Sequence, residues 1–392
     1  MPGVCIYFQV HQPCRLRRYS VFDTAPTYFD AGVNGEIIRR VAARCYLPAT
    51  RLLLDLIRAT EGRFRLALSL SGVVIDQLQA DAPEALAPFQ ALAATGCVEF
   101  LGETYHHSLA FLYSRQEFAE QVRLHRVRVR DLFGRDPHVF RNTELVYNND
   151  VAEFVARLGF CGILAEGVDT LLGRRPPTVV YRAPCDPPLP VLLRHYRLSD
   201  DIAFRFRDRT GPEGPLTAEK FAAAINEAGE DRIVNLFLDF ETFGEHHPAE
   251  SGILDFLAAL PAEVLRHPGN AFLTPSEAID AHRPADVYDA PLMISWADSE
   301  RDLSAWLGNA MQANAMHEAF RLEQAVKAAA DPDLLRDWRL LLSSDHFYYM
   351  CTKYFADGAV HQHFNPYDSP YDSYINYMNV LDNLRSRTHA RA

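Results

Sequence analysis

The chain lacks a basic excess, metal-binding cysteine pairs and any long apolar run. It has 39 Lys and Arg against 51 Asp and Glu, a formal net charge of −12 with His neutral. Proteins that grip nucleic acid carry a stripe of cations that displaces counterions from phosphates, so no nucleic-acid partner is expected. The 7 cysteines are odd in number and widely spaced, with no C-x-x-C pair. That pattern argues against a cysteine zinc site and points to a reducing compartment. No apolar stretch approaches the roughly 18 residues of a membrane span. The opening MPGVCIYFQVHQP has no basic region followed by an apolar segment and a cleavage site. A cytoplasmic, soluble protein without a membrane partner is the expectation. Repeats and low-complexity tracts are also missing.

What is present is an ordinary globular composition, 48% hydrophobic and 23% charged over 392 residues. This is enough chain to bury a large core without cross-links. Residues 1–285 alternate β-rich runs with amphipathic stretches. Strands are expected at VCIYFQV (4–10), RLALSLSG (65–72), CVEFLG (97–102), HVFRNTE (138–144), CGILAEG (161–167), RIVNLFLD (232–239) and NAFLT (270–274). Between them Ser114 and Glu117 form a capping box, Asp150 caps an apolar-faced helix ended by Gly159, and Thr274-Pro275 opens another. Strand–helix alternation at this length predicts a parallel sheet, open or closed into a barrel. Residues 174–217 are too rich in proline for a central strand. They read as a long excursion over the barrel mouth, with VLLRHYRLSDDIAFRF extended. Residues 301–330 read as one long helix, 333–344 as a second and 369–387 as a third. The expected organisation is thus a barrel over 1–285 and a helical bundle over 286–392.

In a barrel of parallel strands, functional side chains gather where strands hand over to loops. His11 follows the first strand. Glu99 lies in the third, with Glu103, His106 and His107 just beyond it. Glu144 ends the fourth, and Asp239 ends the long apolar RIVNLFLD. Strand-end acids suit carboxylate-pair chemistry. Cleaving a bond between sugars needs one protonated carboxyl for the leaving oxygen and one ionised carboxylate for the oxocarbenium-like centre. Each acid taken singly is more often a cap or a dipole partner; it is their combination that points to chemistry.

Five ordered stretches make the chain resemble glycoside hydrolase family 57: HQP (11–13), GCVEF (96–100), FRNTELVYNN (140–149), FLDFETFGEHH (237–247) and SWADSERDLSAWLGN (295–309). The resemblance spans about 300 residues and continues into SSDHFYYM (343–350). It implies an incomplete (β/α)7 barrel with a C-terminal helical bundle, and a retaining two-step mechanism without metal or cofactor. It places the nucleophile on Glu144 and the general acid/base on Asp239. His11, Glu99, His107, Trp296, Asp345 and His346 become candidates for substrate binding. The implied partner is an α-glucan or malto-oligosaccharide, with α-amylase-like hydrolysis favoured and 4-α-glucanotransferase activity as the alternative. Glu241 and Glu245 are expected to tune the proton donor. Trp296 and Trp306 could stack on glucose units, although Trp306 sits at helical spacing that suits the core equally well, and Asp200 and Asp201 could line the mouth or close a turn, the turn being favoured. Two rival readings are a catalytically silent glucan-binding protein and a metal-dependent polysaccharide deacetylase. The second wants paired His and Asp ligands, yet Pro13 stands two residues after His11. The His pairs at 106–107 and 246–247, if on strands, supply one ligand each.

Overall fold

The computed structural model describes residues 2–207, 215–355 and 365–389. Ten strands form two sheets: β1 (Gly3–Val10), β2 (Leu66–Leu70), β3 (Val98–Phe100), β4 (Val139–Arg141), β5 (Gly162–Glu166), β6 (Val180–Arg182), β7 (Pro190–Arg194), β8 (Ile233–Asp239), β9 (Ala271–Phe272) and β10 (Asp286–Val287). The first sheet runs β3-β2-β1-β8, with β9 pairing the start of β1, and all its pairs are parallel. Every residue of β1 is buried, as befits a strand covered on both faces. The second sheet runs β10-β6-β7-β5-β4, parallel except for the β6–β7 pair.

The sheets meet in two places. Gly102, just past β3, donates to Val139 O at 2.9 Å and accepts from Arg141 N at 2.8 Å. On the other side His195 N donates to Asn235 O at 2.8 Å, and the Asn235 side chain donates to Leu193 O at 2.9 Å. The register of β1 against β8 sets Gln9 beside Asp239. The residues following β1, β4 and β8 therefore emerge at one end of the fold.

Three sequence expectations change. The proline-rich stretch supplies two strands, and β7 sits inside its sheet rather than over a mouth. Four of its prolines lie at 184–190, in the turn and at the first position of β7, and Pro176 and Pro177 precede β6, which leaves Val191 to Arg194 free to donate to the ladder. Beyond β7 the chain is not extended: Tyr196–Ala203 is helical, with the His195 ring accepting from Leu198 N. Residues 208–214 of the same stretch lie outside the described residues. Residues 301–330 form three helices, Ser304–Leu307, Ala310–Arg321 and Glu323–Ala328. The first break has a cause in Asn309, which caps a new helix reciprocally with Gln312.

The expected helices at 333–344 and 369–387 appear as Pro332–Leu341 and Pro370–His389. They do not build a separate core. Trp338, Leu341, Phe347, Tyr377 and Leu381 belong to one apolar cluster with Phe140, Ile163 and Val191 of the second sheet. No helix among the described residues is long and apolar enough to cross a membrane.

Candidate active site

The chain after β4 turns sharply at Thr143–Leu145, a short helical turn in which Glu144 (φ 58°) and Leu145 (φ 50°) both adopt left-handed backbone. Non-glycine residues persist there only when their surroundings over-determine them, at about 1–3 kcal/mol each. Asn142 provides part of that constraint. Its side chain accepts from Thr143 N at 3.0 Å and donates to Val146 O at 2.8 Å. The turn carries the Glu144 carboxylate into a cavity of about 530 Å³, where Asp239, His11, His107, Trp296 and Asp345 also line the wall. A hollow of about 570 Å³ beside Thr217 and Asp255 contains none of these groups.

Glu144 is tightly held. Trp296 Nε1 donates to Oε2 at 2.9 Å, Ser344 Oγ donates to Oε1 at 2.8 Å, and His107 Nε2 lies 3.3 Å from Oε1. Burial disfavours its charge, but the bond to His107, that ring's charge and the Arg141 guanidinium outweigh it and hold Glu144 below the usual carboxylate range. Asp239 goes the other way. Burial and the Glu144 charge push it up to about 6 against the pull of Arg141, His107 and Arg194. Two carboxyls whose surroundings drive them to opposite protonation states are what acid and base assignment looks for.

His11 donates from one ring nitrogen and accepts at the other: Nε2 is 3.0 Å from Asp345 Oδ2 and Nδ1 is 2.7 Å from Ser71 Oγ. The network assigns the proton to Nε2, because Asp345 can only accept while ionised. Burial and the charge of His107 keep His11 below its ordinary value. Burial also works against ionised Asp345, but the His11 and His107 rings and the Ser343 hydroxyl overcome it, leaving Asp345 well below its usual value. Glu241, two residues past Asp239, accepts from Tyr46 OH at 2.5 Å and His11 N at 3.3 Å. Burial and the Asp239 charge push it up to about 8.

Two expected contacts with substrate do not fit this geometry. Glu99 does not line the cavity; its carboxylate accepts from Ser276 Oγ at 2.6 Å and Ser276 N at 2.8 Å, at the start of the helix Pro275–Ala281. Glu99 lies within β3, short of the strand end, and the acid behind the site is Glu103, four residues on. His346 is buried behind Asp345, its ring against Tyr377 and Tyr349. Helical backbone turns adjacent residues about 100° apart, so only Asp345 reaches the cavity. Trp296 lines the cavity, but its indole edge serves Glu144 and the Arg141 guanidinium lies 4.9 Å from its ring centre. Trp306 is 1% exposed, as core packing predicts, and still borders the cavity. Neither His pair lies on a strand. Among the described residues no group of three or more His, Cys, Asp or Glu is arranged to hold a metal ion.

One wall of the cavity was offered by the sequence only through Asp200, as the less favoured alternative. Arg194 at the end of β7 contacts Glu166 at 3.3 Å and Asp200 at 2.5 Å, and Arg301 reaches Asp200 at 3.4 Å. Asp200 sits in a helix and lines the cavity rather than closing a turn. These four charges come from β5, β7, a helix and a loop, so no local spacing joins them. Only the run of charged residues at strand ends hinted at Glu166 and Arg194.

A buried proton-bearing acid and an ionised carboxylate facing one pocket are the equipment of a glycosidase. Residues 5–291 match the family model "Glycosyl hydrolase family 57", and the chain belongs to that family. It is 39% identical over 390 residues to a Methanocaldococcus jannaschii protein named "Putative alpha-amylase", a match covering 95% of this chain and 82% of the relative. Among solved structures it resembles the 4-alpha-glucanotransferase of Thermococcus litoralis, with a TM-score of 0.67 at 13% identity. That alignment covers 88% of this chain and 56% of the longer enzyme. The alpha-amylase AmyC of Thermotoga maritima aligns with a TM-score of 0.66 at 13% identity, over 100% of this chain and 94% of that one. At such identities the likeness is one of fold. The chain is thus an α/β glycosidase of family 57 with C-terminal helices.

Proposed function

We propose that this glycosidase is α-amylase-like and cleaves α-1,4-glucans with retention, Glu144 acting as nucleophile and Asp239 as general acid/base. The observation that carries the reading is the shared cavity in which Glu144 is held ionised and Asp239 is held protonated to about pH 6. Glu144 attacks the anomeric carbon as Asp239 protonates the departing glycosidic oxygen. Asp239 then takes a proton from water as the new C–O bond forms and the bond to Glu144 breaks. His11, His107, Trp296 and Asp345 are proposed to form the floor and wall around the bound sugar. The strand sequence β8-β1-β2-β3-β4-β5-β7, with few main-chain bonds between β7 and β8, supports an incomplete seven-stranded barrel. We assign the barrel to residues 1–285 and the helical part to 286–392, although β10 carries the second sheet two residues across that line. A cytoplasmic setting, supported by the scattered cysteines, and an α-glucan or malto-oligosaccharide partner complete the proposal.

The 4-α-glucanotransferase outcome uses the same site with a sugar hydroxyl in place of water. Incubation with maltoheptaose separates the two: only shorter products mean hydrolysis, whereas longer ones mean transfer. Glu144→Gln is expected to retain glucan binding while turnover falls by about 10⁴-fold. Unchanged turnover would overturn the assignment.

A further inference from the structure

His107 is placed for a task beyond contact with sugar. Its Nδ1 lies 3.4 Å from Glu103 Oε2 and its Nε2 lies 3.3 Å from Glu144 Oε1. An ionised carboxylate only accepts, so a ring set between two of them donates from both nitrogens and carries a full positive charge. Its face is covered by the His11 ring, stacked at 3.8 Å and 19°. The His107 backbone is pinned in left-handed conformation (φ 49°), donating to Thr104 O and accepting from Ser344 N at 2.9 Å. Ser344 is also the residue whose hydroxyl donates to Glu144. Glu103 is fully buried; Gln9 Nε2 donates to both its oxygens at 3.3 Å, and His125 lies 3.9 Å away.

We propose that His107 is a clamp on Glu144 that stays charged at neutral pH, and that the buried Glu103 is the positioning residue that keeps it charged. The groups facing the ring are Glu103 and Glu144 at its nitrogens, His11 on its face, Asp345 beyond His11, Arg141 from β4 and Asp239 from β8. Burial opposes its charge, but the two carboxylates prevail and raise it to about 9. This inference rests on the reading of Glu144 as nucleophile and adds how that carboxylate is served in both half-reactions. In the first, a Glu144 oxygen donates its electron pair to the anomeric carbon while the imidazolium keeps its proton. In the second, the bond from the anomeric carbon to Glu144 breaks, its electrons return to the carboxylate, and His107 stabilises the charge that reappears. The clamp therefore chiefly assists the departure of Glu144 from the sugar.

Nitrogen NMR of histidine-labelled enzyme tests this without reference to activity, with the His107 signal assigned by its loss in His107→Gln. Both ring nitrogens are expected to be protonated at pH 7.5 in the wild type, with single protonation in Glu103→Gln. In the same variant an activated maltoside is expected to give a burst followed by a slow steady state. Its kcat falls with a lowered KM, as a glycosyl-enzyme accumulates. With departure of Glu144 limiting, its kcat is expected to fall as pH rises through the lowered His107 value, below 7.5, where the wild-type ring still holds both protons. A role in packing alone would lower activity equally at every pH. A neutral His107 in the wild type would overturn the proposal even if Glu103→Gln failed to fold. A charged His107 in an enzyme whose Glu144→Gln variant turned over normally would leave the ring's charge standing and remove Glu144 from the nucleophile's role.

Discussion

Glu144 and Trp296 show how one side chain sets the chemistry of another. The indole N–H donates more strongly to the ionised form of its partner, so removing it raises the pKa of Glu144. In the free enzyme, kcat/KM is expected to fall on the acid side as Glu144 gains a proton below its usual 4.5, and on the alkaline side as Asp239 loses one near 6. Trp296→Phe is predicted to shift the acid limb upward and leave the alkaline limb near 6; a pH series of kcat/KM reads both. Asp239→Asn is predicted to lose about 10²–10⁴-fold in kcat, and least on substrates whose leaving group needs no proton. The two acids were legible in the sequence because each ends a β-rich run. Glu99 stands out over Glu103 in the sequence because it carries the acid of the GCVEF motif, and a short strand leaves its last residue undetermined by pattern. The network of Glu166, Arg194, Asp200 and Arg301 arises from packing between distant segments, and no periodicity carries it.

Segments between the strands decide how those side chains are presented. Asn142 closes the turn that holds two residues at positive φ, and Asn142→Ala removes both of its bonds. The expected result is a loss of about 1–2 kcal/mol in chemical denaturation and a larger proportional loss of kcat, since Glu144 shifts with the turn. Asn309 works elsewhere, dividing what reads as one helix into two. Asn309→Ala is expected to reduce stability by about 1 kcal/mol with KM and kcat nearly unchanged. The apolar spacing of 301–330 gave no warning of that break, because helical periodicity resumes after Gly308 almost in phase. The strands β6 and β7 were hidden for a different reason: proline content averages over a window, and here the prolines sit in the connection while the apolar residues build the ladder.

Across the molecule, the buried acids make stability depend on pH in a definite sense. Glu241 is raised to about 8, Glu166 to about 7 and Asp239 to about 6, with burial the first cause in each. A raised folded-state pKa contributes stability that is complete below the unfolded value, 3.8 for Asp and 4.5 for Glu, and is lost as pH rises through the folded one. Thermal midpoints are therefore predicted to decline between about pH 4.5 and 8 through these groups, and Glu241→Gln is predicted to flatten the decline. Depressed Glu103, at about 2, acts in the opposite sense, losing its contribution only as pH falls from about 4.5 through 2. Ser344 and Asp345 reach Glu144 and His11 from 200 and 334 residues further along the chain. During synthesis on the ribosome, Glu144 and His11 are therefore without these partners until residues 344 and 345 have emerged. Competence to cut sugar waits for that segment to dock.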